Sequence, residues 1–169
     1  MDGWTAPSRR TGWPTAMVEL EPAEHLLVWA FRRWVCASRD NTSHHICLVW
    51  NELARQLGAA DAAVAWAWLQ ATDRTLREFA RRSIHCHQPA CPCLGGDEVW
   101  LVFLLAACQR GDLARAGRLA QWMVAADGVG DLLEAAGRLA RVLRGHSLIL
   151  PAREGTDGVD HAARAPTLH

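Results

Sequence analysis

"VWLVFLLAAC", residues 99–108, runs for ten positions without a charge. Apolar and polar residues do not alternate in it, as they would in a half-exposed strand. As a helix it is apolar on every side, and such a helix is stable only when buried all round. A bilayer span needs roughly 20 such residues, so this stretch predicts the centre of a protein core. Asp97 supplies an N-cap, and Gly111 with Asp112 stops this helix and starts the next.

Working outward, helical periodicity continues in both directions. A helix is expected from Pro22 to about Ser38, with Leu27, Ala30, Phe31, Trp34 and Val35 at core spacing. Ser43 caps a second, striped by Ile46, Val49, Trp50, Leu53 and Leu57 and stopped by Gly58. Asp61 caps a third that reaches about Ile84, with Val64, Trp68, Ala71, Thr75 and Phe79 on one face. Downstream, a helix is expected from Gly111 and Asp112 to about Ala125. "GVGD" (128–131) then breaks the chain, and the last helix spans about Leu132 to Arg144. The fold class is all-α: an irregular bundle of about six helices around a buried central helix (about 98–109).

A chain of 169 residues, half apolar, suits one sizeable core. The expected organisation is a flexible N-terminal arm (1–18), a single helical domain (19–148) and a flexible C-terminal tail (149–169). Zero net charge removes any bulk electrostatic case for nucleic acid or an anionic membrane. All 18 basic residues are Arg, and Lys and Tyr are absent, a usage that marks a GC-rich and therefore bacterial genome rather than phosphate recognition. Arg9 and Arg10 resemble part of an export signal, but no apolar segment follows them. The chain is expected to be soluble and cytoplasmic, with no membrane partner. In that reducing compartment six Cys point to ligands or reactive thiols rather than three disulfides.

The chemistry-bearing segment is "HCHQPACPCLGGDE", residues 85–98. Zinc takes four nitrogen or sulfur ligands in a tetrahedron. Cys86, Cys91 and Cys93, with His87 or His85 as the fourth, form a candidate set within one loop. Their Cys-x4-Cys-x-Cys spacing differs from the paired Cys-x2-Cys pattern of common zinc sites. Pro89, Pro92, Gly95 and Gly96 forbid a continuous helix here and let side chains converge. A variant site recruits Asp97, Glu98, His44 or His45. A Cys91–Cys93 redox pair and a plain connector are the competing readings. Cys36, Cys47 and Cys108, alone in apolar stretches, read as small core residues.

"WNELARQLGAADAAVAWAWL", residues 50–69, resembles the helix-turn-helix signature of bacterial transcription regulators, with Ala54, Gly58 and Val64 at the matching positions. The resemblance implies that the second helix reads DNA. Its outward candidates, Ala60, Asp61, Ala62, Ala65 and Trp66, include no Arg, Asn or Gln to contact base edges, so specific nucleic-acid binding is not expected. Nine Trp are present, and Trp66 and Trp68 point about 200° apart on an ideal helix. At least one Trp should therefore reach the surface, where it anchors a protein partner or a homodimer. The expected function is a small bacterial helical protein with a zinc-binding Cys/His loop, acting through protein contacts and not as an enzyme. A degenerate helix-turn-helix regulator is the alternative, and a metal-dependent enzyme the third.

Overall fold

The computed structural model describes residues 14–40 and 43–153; the expected arm and tail residues 1–13 and 154–169, Arg9 and Arg10 among them, lie outside these. A single 3-10 turn at Met17–Glu19 precedes five α-helices: α1 Pro22–Asp40, α2 Ser43–Phe79, α3 Gly96–Arg110, α4 Leu113–Met123 and α5 Ala126–Gly145. The chain is an all-α bundle, as its periodicity requires. Helix α3 is the central element: every side chain from Asp97 to Ala107 is buried, packed among α1, α4 and α5. Helix α2 closes the other side against α1 and α5.

Among the described residues α2 is two helices in line, joined at Gly58, whose φ of 73° and ψ of 160° lie outside the helical range and are adopted without strain only by glycine. The expected second and third helices are therefore both present, with Gly58 as the stop between them, and the bundle has the expected count of about six. This element ends at Phe79 rather than near Ile84. Residues beyond Phe79 are held by the α4–α5 connection: Arg81 N–H donates to the Met123 carbonyl (2.9 Å), and the Phe79 carbonyl accepts from Ala125 N–H (2.8 Å).

"GVGD" is not a break. Helix α5 begins at Ala126 and runs straight through it. A Cβ at Gly128 would stand 2.7 Å from the Phe79 Cβ, so this glycine provides space for α5 to lie against the end of α2, not a turn. Asp97 likewise is not the cap of α3; Gly95 holds that position, and Asp97 lies inside the helix.

Both ends of the described chain pack down. Met17 N–H donates to the Pro92 carbonyl (2.7 Å), and Leu94 N–H to that of Thr15 (2.8 Å), so residues expected in the arm pair with the Cys/His loop. The buried Gln109 amide of α3 donates to the Leu148 carbonyl (2.9 Å) and accepts from Leu150 N–H (2.8 Å), which draws the start of the expected tail inward. The tryptophans divide as their angular spacing requires. Trp68 is buried, while half-buried Trp66 meets Trp34 and Trp50 edge-to-face at 4.9 and 5.7 Å, and Trp50 is 37% exposed. No helix among the described residues is long and apolar enough to cross a membrane.

Two glycines of α5 should respond oppositely to alanine in urea denaturation. Gly128→Ala forces Cβ into Phe79 and is expected to cost about 1–3 kcal/mol. Gly137→Ala, with open space around the new methyl, is expected to gain about 0.5–1 kcal/mol from helix propensity.

Candidate functional site

Arg32 is a lone cation among the buried apolar residues of α1, and Glu98 is at the third helical position of α3; neither side chain is exposed at all. They meet as a two-pronged ion pair: Arg32 Nε donates to Glu98 Oε1 (2.7 Å) and Nη2 to Oε2 (2.9 Å). The remaining guanidinium N–H groups go to the loop backbone. Nη1 donates to the carbonyls of Cys91 (2.6 Å) and Gln88 (3.4 Å), and Nη2 to that of Cys93. All five arginine donors are thereby used.

Glu98 is equally committed. Its Oε2 accepts from Gly95 N–H (2.8 Å), half of a capping box. Its Oε1 accepts from His87 N–H (2.9 Å) and from the Cys86 thiol (3.4 Å). Asp97 holds the start of the same loop through His85 N–H (2.7 Å) and Arg82, whose guanidinium also lies 4.4 Å over the Trp122 ring. Residues 82–95 are therefore hung, mostly by backbone, on two carboxylates of α3 and one arginine of α1.

These environments set the protonation states. Burial alone would push the Glu98 carboxyl up, but the Arg32 hydrogen bonds, followed by those from Gly95 and His87, outweigh it and hold Glu98 below its ordinary value. Burial, and next the adjacent Glu98 charge, push the Cys86 thiol far up, so it stays protonated as a donor. Cys93 is raised chiefly by its hydrogen bond with the Cys91 thiol. Burial pushes Cys108 up to about 11.

The candidate ligands are thus distributed unevenly. Cys91 and Cys93 are both held at their backbone carbonyls by Arg32, with Cys93 exposed. Cys86 is turned to Glu98. The His87 ring packs over Gly95, 3.5 Å from where a Cβ would be, and His85 is exposed. His44 and His45 sit beside each other at the start of α2, ring centroids 5.7 Å apart. Among the described residues no group of three or more His, Cys, Asp and Glu side chains is gathered closely enough to hold a metal ion.

Two of the expected core thiols also differ. Cys47 is exposed on α2, and Cys36 of α1 lies half-buried beside the loop, its Sγ 4.0 Å from Gln88 Oε1. Cys36 is one helical turn from Arg32, which is the signal in the sequence that could have placed both at the loop. In the helix-turn-helix-like segment, Ala62, Ala65, Trp68 and Leu69 are buried, and Ala60, Ala63 and Ala67 face out. That outer face carries methyl groups where a DNA-reading helix carries hydrogen-bonding side chains.

Fold and site together define an all-α bundle that presents a Cys/His loop from an internal arginine–glutamate hub. No protein-family model, curated protein or solved structure matches the chain.

Glu98→Gln leaves Arg32 buried without a counter-charge and should destabilise the fold by about 3–5 kcal/mol, whereas the paired change Arg32→Met with Glu98→Leu should cost less than either single change. Urea titration of the parent, Glu98→Gln, Arg32→Met, Glu98→Leu and the double variant checks this. Because the folded carboxyl of Glu98 lies below its ordinary 4.5, its stabilisation is complete above that value and disappears as pH falls through the lower folded value. Acid titration should therefore show a shallower loss of stability below pH 4.5 in Glu98→Gln than in the parent.

Proposed function

We propose that this chain is a metal-binding module of the bacterial cytoplasm, in which the 85–93 loop takes a zinc ion and a partner protein reads the loop. The observation that carries the reading is that Arg32 grips the backbone carbonyls of both Cys91 and Cys93 and so fixes two thiol-bearing residues on one short turn. Two soft donors two residues apart on a fixed backbone reduce the ordering needed to capture a soft cation. The imidazoles of His85 and His87 have no hydrogen-bond partner among the described residues and supply the nitrogen ligands. Cys86 joins only if it leaves Glu98. Exposed Trp50, on the same helix as exposed His44 and Cys47, supports an aromatic anchor for the protein partner.

Reduced full-length protein should bind one zinc ion in a chelator-competition titration. The Cys91→Ser/Cys93→Ser variant should lose that binding and Cys108→Ser should keep it. Absence of stoichiometric zinc from the reduced parent sinks the reading.

The same fixed turn favours a second reading, a reversible disulfide between Cys91 and Cys93. With a peroxide as oxidant, the two thiols give up two protons and two electrons, the S–S bond forms and the peroxide leaves as water. A peroxide-dependent loss of two titratable thiols, absent in Cys91→Ser and restored by dithiothreitol, separates this reading from zinc binding.

A further inference from the structure

The second half of α2 and helix α5 run antiparallel. Ala80 bridges Val124 at one end, and at the other His146 Nε2 lies 2.7 Å from Asp61 Oδ2. Between them opens a groove of about 850 Å³, within the range of roughly 300–1,000 Å³ typical of small-molecule sites. Its floor is made by Ala63, Ala67, Ala71 and Ala135, with Trp68 beneath. Alanine at each of these positions keeps the groove open where larger side chains would fill it.

The polar groups around this floor are mostly donors. Arg74, Arg138 and Arg141 line the groove with Asp131 and Glu134. Arg138 is engaged by Glu134 (2.6 Å). Arg74, Arg141 and Asp131 have no hydrogen-bond or ion-pair partner among the described residues. The indole N–H of Trp68, a side chain only 2% exposed, is also without an acceptor. A solvated charged face explains free arginines on a convex surface. It does not explain a concave apolar floor of alanines flanked by them.

We propose that this groove binds an apolar carboxylate, its hydrocarbon body on the alanine floor and its anionic head on the Arg141 guanidinium. From Asp131 to Arg141 is about 15 Å along α5, long enough for a medium-chain acid to lie with its head at the Arg141 end. Charge complementarity selects the class: the antiparallel register puts Arg74 and Asp131 together at one end of the groove, where their charges offset, and leaves Arg141 as the unpaired charge at the other, which matches an anionic head. This site shares no residue with the Cys/His loop, so either reading can fail without the other.

Decanoate below its micellar concentration, in equilibrium dialysis against the full chain, is the probe, with decanol and decylammonium as neutral and cationic counterparts. One saturable decanoate site is expected, weakened roughly tenfold by Arg141→Gln. Ala67→Phe, which fills the floor from an outward-facing helical position, should abolish binding while leaving the circular dichroism and melting temperature of the fold in place. Arg55→Gln on the first half of α2 should change nothing. The proposal is overturned if decanol or decylammonium binds as well as decanoate, if the two groove variants bind like the parent, or if no saturable site exists. It is equally overturned if sedimentation shows a dimer that Ala67→Phe dissolves, because the groove then holds a second copy of the chain.

Discussion

The buried contact between Arg32 and Glu98 joins α1, α3 and the connection between α2 and α3 at a single point. Removing two opposite charges from water costs several kcal/mol per ion, and only close geometry with further hydrogen bonds offsets it. Here the arginine spends its donors beyond the ion pair on three loop carbonyls, and the glutamate accepts from two backbone N–H groups and a thiol. The loop is thus required by the pair as much as the pair is required by the loop. Backbone groups of a Pro- and Gly-broken segment, which no helix ladder can satisfy, find their partners in a charge pair that would otherwise be intolerable.

The same device recurs at the start of α1. Glu24, at the third helical position, accepts from Glu21 N–H (2.9 Å) and is gripped by Arg153 through Nε (2.8 Å) and Nη2 (2.6 Å). Arg153 also donates to the Glu19 carbonyl (3.1 Å). In both places a carboxylate lies at the positive end of a helix, where the aligned peptide dipoles favour negative charge, and a buried arginine completes its coordination. The first pair secures the Cys/His loop, and the second brings the end of the described chain onto the start of α1. Segment 14–17 links the two regions, since it pairs with residues 92–94 and runs directly into the turn before α1.

Legibility in the sequence followed the range of the interaction. Core helices could be read because their signal is local: the all-apolar 99–108 stretch, the Asp112 cap of α4 and the angular divergence of Trp66 from Trp68 are properties of near neighbours. "GVGD" was misleading because glycine serves both turns and close packing, and only the proximity of Phe79 decides between them. The Cys/His loop was conspicuous by composition, yet its organiser was not, because Arg32 and Glu98 are 66 residues apart. The Arg32–Arg33 pair inside an otherwise apolar helical stretch was the available sign. Nothing local named its partner.

By itself, the sequence determined that this protein is helical, that residues 99–108 form its buried axis, and that residues 85–93 gather three of its six thiols and two of its eight imidazoles, since periodicity and composition are carried by neighbours along the chain. Tertiary structure alone decided that Cys86 answers to Glu98 while the backbones of Cys91 and Cys93 answer to Arg32, that the ends of the described chain are packed, and that a groove lies between α2 and α5. Each of those outcomes depends on groups tens of residues apart whose charges and hydrogen bonds must be satisfied together, and only the closed bundle brings them within reach.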